Sequence, residues 1–233
     1  MDKQTYTIGD IHGELKKLKD CISKVPLQKG DRLIFLGDYV DRGPDSYLLI
    51  EYLISLKEEY ECIFLLGNHD ESWLNSLKRG EPEQGLLWRQ GAKQTYQSYL
   101  DYGVNPEIHF DFLNNLILYY IDENRNYFVH GGFNRHYDIE FQPDKTVFTW
   151  DRDLFHSATS YESMKDKSYP FKIYGKPKEV FIGHTPTVLW GVTTPINVAN
   201  IWNVDTGCGK GNHPLTILNI KTKEYYQSYY EKS

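Results

Sequence analysis

A chain of 233 residues and 27.4 kDa is long enough to bury a core of its own without crosslinks. Its 40% hydrophobic and 25% charged residues exclude a wholly disordered, collagen-like or membrane-embedded protein. The 26 basic and 32 acidic side chains leave a net charge of -6, which argues against a general electrostatic hold on nucleic acid or an anionic membrane.

In chain order, the first third alternates strand-like and helix-like runs. Thr5 to Gly9, Arg32 to Gly37 and Glu61 to Gly67 read as strands ending in glycine. Leu15, Leu18, Ile22 and Val25, then Leu48, Leu49, Tyr52, Leu53 and Leu56, recur at helical spacing. This β-α-β-α-β pattern predicts an α/β fold in which polar clusters at Asp10, Asp38 and Asn68 share the carboxyl edge of a sheet. Residues 70 to 115 read as helical, punctuated by Gly80, Pro82 and Pro106. Beyond them, strands are expected at 116–121, 127–129, 146–150, 180–182, 201–204, 215–220 and 224–229. The polar, aromatic-rich stretch 153–178 reads as a cap or insertion within a single domain spanning 1–233. Tyr225, Tyr226, Tyr229 and Tyr230 read as edge-strand residues, too poor in interleaved basic groups for a nucleic-acid stacking platform.

Three cysteines, at 21, 62 and 208, match neither a zinc-knuckle spacing nor a disulfide framework. No apolar run approaches the roughly 18 to 20 residues of a membrane-spanning helix, and the first six residues lack a signal-like stretch. The expectation is a cytoplasmic protein.

The chemistry concentrates after the strands. Gly9-Asp10-Ile11-His12-Gly13 sets a carboxylate and an imidazole two residues apart, able to project to one side of an extended segment. Gly37-Asp38-Tyr39-Val40-Asp41-Arg42-Gly43 and Gly67-Asn68-His69-Asp70 follow the next two strands. His130 and His184, in Val129-His130-Gly131-Gly132 and Ile182-Gly183-His184-Thr185, each follow a β-branched strand. Together Asp10, His12, Asp38, Asn68, His130 and His184 supply enough nitrogen and oxygen ligands for two ions bridged by one carboxylate. Such a centre suits in-line displacement at phosphorus, with ions about 3.5 to 4 Å apart.

The motifs G-D-I-H-G, G-D-Y-V-D-R-G and G-N-H-D, in this order, resemble the calcineurin-like metallophosphoesterases. His130-Gly131-Gly132, Gly183-His184-Thr185-Pro186 and Asp205-Thr206-Gly207 narrow the resemblance to the phosphoprotein phosphatase branch of bacterial and phage type, over residues 9 to 207. Two departures stand out. Asp70 occupies a position where Glu is usual, and His184 is not followed by a second histidine as in G-H-x-H.

The resemblance implies a four-layer αββα sandwich of two mixed sheets flanked by helices. It implies Asp10 and His12 on a first divalent ion, Asn68, His130 and His184 on a second, and Asp38 bridging, with a water between the ions as nucleophile. Manganese is expected, while Fe, Zn, Ni and Co suit the same donors. His69 would be the general acid and Asp41 its orienting partner. Arg42, Arg152 and Asn68 would bind the substrate phosphate. The first expectation for substrate is a phosphoprotein, on Ser, Thr or Tyr. The alternatives are symmetrical hydrolysis of a bis(5'-nucleosyl)-tetraphosphate, a small phosphoester, and a non-catalytic phospho-ligand sensor. Oligomeric state is not indicated. Trp88, Arg89 and Lys93 lie near the expected cleft, Trp88 as a packing residue and Arg89 within reach of substrate. His109, His136, His156 and His213 read as surface or cap residues, and Asp205 as a turn former.

Overall fold

The computed structural model describes residues 3–82, 85, 87–102 and 107–229, so that Pro106 and Tyr230 lie outside the described residues. Strands β1 (Thr5–Ile8), β2 (Arg32–Phe35) and β3 (Glu61–Phe64) pair in parallel, with Thr5 opposite Arg32 and Arg32 opposite Glu61. Helices α1 (Leu15–Lys24) and α2 (Ser46–Leu56) make the crossovers, and α3 (Asn68–Arg79) follows β3. Leu15, Leu18 and Cys21 of α1 and Leu49, Leu53 and Leu56 of α2 are buried, as their helical spacing requires.

A kinked turn at Trp88–Ala92 leads into α4 (Lys93–Tyr102), and α5 (Glu107–Asn114) precedes the second sheet. That sheet comprises β4 (Tyr119–Ile121), β5 (Tyr127–Val129), β6 (Val180–Ile182), β7 (Ile196–Val198) and β8 (Ile201–Asn203), ordered β4-β5-β6-β8-β7. Its inner strands β5, β6 and β8 are parallel and its edges antiparallel. The chain then returns to the first sheet through β9 (Leu215–Asn219) and β10 (Tyr225–Ser228), both antiparallel to their neighbours, completing the order β10-β9-β1-β2-β3.

Alternation along the strands builds the layers. Ile34 and Leu36 point to one face and join Leu65, Phe128, Phe181, Val204 and Leu218 in a buried cluster between the sheets. Phe128 and Phe181 stack there with ring centroids 4.9 Å apart. Leu33 and Phe35, one residue out of phase, face the helices and pack with Leu18, Leu53, Trp73 and Phe112. On the far side, Val129, Val180 and Ile182 pack with Phe148 of α6 (Val147–Trp150) and with Leu154, Phe155 and Ala158 of α7 (Asp153–Glu162). The result is helix, sheet, sheet, helix, with both sheets mixed.

Residues 147–150, expected as strand, form a helical turn. Asp144 Oδ1 accepts from the backbone N–H of Thr146 at 2.9 Å and from its hydroxyl at 2.8 Å, and this local turn ahead of the helix overrides the strand propensity of Val147 and Thr149. Strand β7 was not anticipated. It joins β8 through the two-residue turn Ala199-Asn200, with Val198 opposite Ile201 and Ala199 at φ 51°, and Ala is not a signal for that conformation. The segment 153–178 is helical only over α7, and its Phe171 and Ile173 pack against the second sheet's core. No described helix is long and apolar enough to cross a membrane. His109 departs from its expected surface role: it is buried, between Tyr99 and Glu51. His136 and His156 are exposed and His213 half-buried.

Candidate metal centre

Six parallel strands, three from each sheet, point their carboxyl ends at one cleft. Asp10 and His12 follow β1, Asp38 follows β2, Asn68 and His69 open α3 after β3, and His130, His184 and Asp205 follow β5, β6 and β8. The backbone there is held in uncommon conformations. Among the described residues nine that are not glycine have positive φ, and five of them, His12, Asp38, Asp41, Arg42 and His184, lie in this cleft. Left-handed backbone at a residue with a Cβ costs free energy and persists only where neighbours enforce it.

The enforcing contacts are visible. The Asp38 carbonyl accepts from Ile11 N–H at 3.1 Å and His12 N–H at 2.9 Å, and His12 in turn accepts from Gly43 N–H at 2.9 Å. Buried Asp70 accepts from four backbone N–H groups: Asp38 at 2.7 Å, Tyr39 at 2.8 Å, Gly67 at 3.0 Å and Val40 at 3.3 Å. Asp70 is therefore the anchor of the Asp38 loop, a role that an aspartate in place of glutamate fills. Gly67 is required by close approach, since a Cβ there would sit 2.2 Å from Asp38 Oδ1 and 2.3 Å from its backbone nitrogen.

The donor atoms converge in two groups that share Asp38. His12, Asp38 and His69 form one, and Asp38, His130 and His184 the other, each with its donor atoms within 4.8 Å of one another. His12 Nδ1 lies 2.9 Å from the Val40 carbonyl and His130 Nδ1 2.8 Å from that of Leu36. A carbonyl cannot donate, so both Nδ1 atoms carry the proton and both Nε2 atoms offer a lone pair. Those lone pairs face Asp38, His12 Nε2 at 3.5 Å from Oδ2 and His130 Nε2 at 3.4 Å from Oδ1. Imidazole lone pairs opposed to a carboxylate suit divalent cations of the first transition row.

Asn68 Oδ1 lies 3.2 Å from His130 Nε2, within the second group's reach. Asp10 is set further back. Its carboxylate accepts from the His184 N–H at 3.1 and 3.2 Å, and its oxygens stand 3.9 Å from His12 Nε2 and from His130 Nδ1. All six expected ligands thus meet in one cleft, but the tight group on the His12 side contains His69 where Asp10 was expected.

Electrostatics favour the ligating protonation states. Burial lowers the pKa of His12, with Arg42 adding to the effect, and burial lowers that of His130 against the pull of Asp38. Burial and the neighbouring His130 take His184 down to about 2. Burial alone would raise Asp38, but His130, His69, His12 and His184, to the extent that they carry a proton, outweigh it and hold the carboxyl below the ordinary range, a role that a metal cation would take over. Asp10 is raised by burial and by the carboxylates of Asp205 and Asp38, a repulsion that a cation between them would relieve.

The remaining expected residues line the same cleft. His69 Nδ1 lies 2.6 Å from Asp41 Oδ2, both side chains buried. Arg42 reaches His12 Nε2 and, at 3.2 Å, His69 Nε2. Arg152 Nε donates to His184 Nε2 at 3.2 Å while the residue stays exposed. Trp88 packs near Tyr96, and Arg89 is exposed; the contact with Arg42 is made instead by Gly91, whose carbonyl accepts the Arg42 N–H at 3.2 Å.

Two residues of the cleft were not anticipated. Thr95 Oγ1 donates to Asp41 Oδ1 at 2.6 Å and accepts the Asp41 N–H at 2.7 Å. Asp205, read as a turn former, accepts from Gly207 N–H and is buried close enough to Asp10 to raise its pKa. A lone threonine on a polar helix carries no signal in sequence. Asp205 does follow a strand, as the other cleft residues do.

The fold and this donor cluster suit a metal-dependent phosphoesterase. Residues 5–214 match the sequence profile of the calcineurin-like phosphoesterases, and the chain belongs to that family of metal-dependent hydrolases. It is similar to the bis(5'-nucleosyl)-tetraphosphatase PrpE [asymmetrical] of Oceanobacillus iheyensis, 27% identical over 94% of this chain and 89% of that one. A symmetrical bis(5'-nucleosyl)-tetraphosphatase of Pseudomonas fluorescens is 37% identical over 36% of this chain, a stretch that spans only 31% of that relative. Among solved structures, one described as a candidate diadenosine tetraphosphatase superposes with a TM-score of 0.66 at 18% identity, covering 99% of this chain and 95% of the other.

Proposed function

We propose that the protein hydrolyses dinucleoside polyphosphates, and that it cleaves bis(5'-nucleosyl)-tetraphosphate asymmetrically. The observation that carries this reading is the likeness, over nearly the whole of both chains, to a relative bearing that name. The phosphoprotein expectation takes second place, supported by the motifs around Asp38 and His69, and the symmetrical reaction rests on relatives matched over a short stretch.

In this proposal Asp10, His12, Asp38, Asn68, His130 and His184 hold two divalent ions, with manganese the activating metal. Bound there, the ions would activate water and neutralise charge on the phosphoryl oxygens. His69 gives the proton from Nε2 to the departing oxygen, and Asp41 fixes its Nδ1–H and supports the protonated ring. Arg42, beside His12 and His69, and Arg152, beside His184, take the phosphate oxygens with their planar forks, joined by the Asn68 amide. The three cysteines are free, Cys21 and Cys208 buried and Cys62 half-buried, which supports a reducing, cytoplasmic setting for a single domain.

The test is parallel turnover of diadenosine tetraphosphate, a phosphoserine and a phosphotyrosine peptide, and p-nitrophenyl phosphate, with manganese added. Faster turnover of the dinucleotide, with AMP and ATP as products, is expected. Two molecules of ADP would indicate the symmetrical reaction, preference for a peptide the phosphoprotein reading, and binding without turnover a sensor.

A further inference from the structure

We propose that Lys210 grips the phosphates of the substrate that lie beyond the one being attacked, and so selects polyphosphate chains over simple monoesters. The inference rests on the dinucleotide reading above.

Lys210 sits in the loop Asp205-Thr206-Gly207-Cys208-Gly209-Lys210-Gly211 that follows β8. This loop is fastened to the metal-side loops. Cys208 Sγ lies 3.3 Å from the Ile11 carbonyl, between Asp10 and His12, and Asp205 Oδ1 accepts the Gly207 N–H at 2.9 Å. At Gly209 a Cβ would fall 2.6 Å from that of His12 and 3.3 Å from that of Arg42, so the backbone beside Lys210 lies directly against both residues. Gly209 has φ 81°, which the tight path needs, and Lys210 N–H closes the turn onto the Gly207 carbonyl at 3.1 Å.

The side chain itself is exposed, and among the described residues its Nζ donates no hydrogen bond and has no carboxylate within 4.0 Å. Its charge is felt in the cleft: partial burial and the Arg42 and Arg152 guanidinium groups lower its pKa, while Asp205 and Asp10 pull the other way. Arg42 and Arg152 already reach the histidines of the centre. A single phosphoryl group is matched by those two forks and the ions. A third cation on the loop packed against His12 and Arg42, on a chain of net charge -6, is matched by further anionic oxygens, and a linear polyphosphate brings them in line.

The experiment compares wild type, Lys210→Gln and Lys210→Arg, each loaded with manganese at a fixed free concentration. Inorganic tripolyphosphate and orthophosphate are measured as inhibitors of p-nitrophenyl phosphate hydrolysis, and their binding is measured by titration calorimetry. For Lys210→Gln the tripolyphosphate inhibition constant and Kd rise about tenfold, and the orthophosphate values change by less than about twofold; Lys210→Arg keeps most of the tripolyphosphate affinity. Equal changes for both anions, or none for tripolyphosphate, overturn the proposal. So does a lowered melting temperature with unchanged selectivity, which would make Lys210 a counterion for buried Asp205. Wild-type turnover of diadenosine tetraphosphate reports separately on the dinucleotide reading, since tripolyphosphate binding is measured without that substrate.

Discussion

His69 Nδ1 and Asp41 Oδ2 stand 2.6 Å apart, with both side chains out of solvent and His69 Nε2 turned toward Arg42 and, 4.0 Å away, Asp38 Oδ2. A ring whose far nitrogen is fixed by a carboxylate can present its other nitrogen either as proton donor or as ligand. Replacement of His69 by Asn separates the two. As an acid, its loss slows phenyl phosphate hydrolysis by roughly 10²-fold or more, slows p-nitrophenyl phosphate far less, and leaves metal content intact. Equal slowing on both substrates together with a lost equivalent of metal would make His69 a ligand.

Thr95 acts one step further out, through Asp41. Thr95→Val removes a donor to Oδ1 and leaves the buried Asp41 N–H without this acceptor, at a cost of about 1–3 kcal/mol in stability. The pH profile of kcat should shift as His69 loses a firmly held partner, while Thr95→Ser restores the wild-type profile. A Val variant with lowered stability and an unmoved profile would reduce Thr95 to packing.

Asp70 is expected to control metal binding without being a ligand. Asp70→Asn exchanges one accepting oxygen for an NH2 group that faces backbone N–H donors, so up to two of its four bonds, three of them to the Asp38 loop and one to Gly67, become repulsive. The melting temperature falls, and manganese affinity measured by calorimetry weakens at least tenfold, a loss that Asp70→Glu partly recovers. Unchanged affinity in a folded Asn variant would refute the anchoring role.

His109 gives a pH signature of stability. Its Nε2 lies 2.8 Å from Glu51 Oε1 and its Nδ1 2.8 Å from the Tyr99 hydroxyl, the pattern of a neutral ring that donates to the carboxylate and accepts from the phenol. Burial lowers its pKa below the ordinary 6.5 in spite of Glu51. Below about pH 6.5 the unfolded chain takes up the proton first, so this residue's contribution is complete above that pH and declines as pH falls toward the depressed folded value. His109→Gln should therefore flatten part of the fall in chemical-denaturation stability between neutral and mildly acid pH. Parallel curves for the two proteins would show that His109 titrates normally.

The first three strands and two crossover helices are legible because period-2 and period-3.6 hydrophobic patterns are local, and Leu33 and Phe35 against Ile34 and Leu36 already divide helix face from sheet face. The candidate metal donors are legible for a related reason: each follows a short strand, and parallel strands deliver their carboxyl ends to one edge. Residues 147–150 and β7 were not, since a side-chain turn at Asp144 and a two-residue Ala-Asn turn decide them against propensity.

The order of residues along the chain thus determined the class of fold, the donor types and the strand ends that carry them. Only the tertiary structure decided that Asp38 is shared by two donor groups, that Asp10 stands back while His69 comes forward, and that Thr95 and Asp70 brace the cleft loops. These are relations between segments 25 to nearly 200 residues apart, set by sheet pairing and helix packing, and a hydrogen bond across such a distance leaves no period or spacing in the sequence to be read.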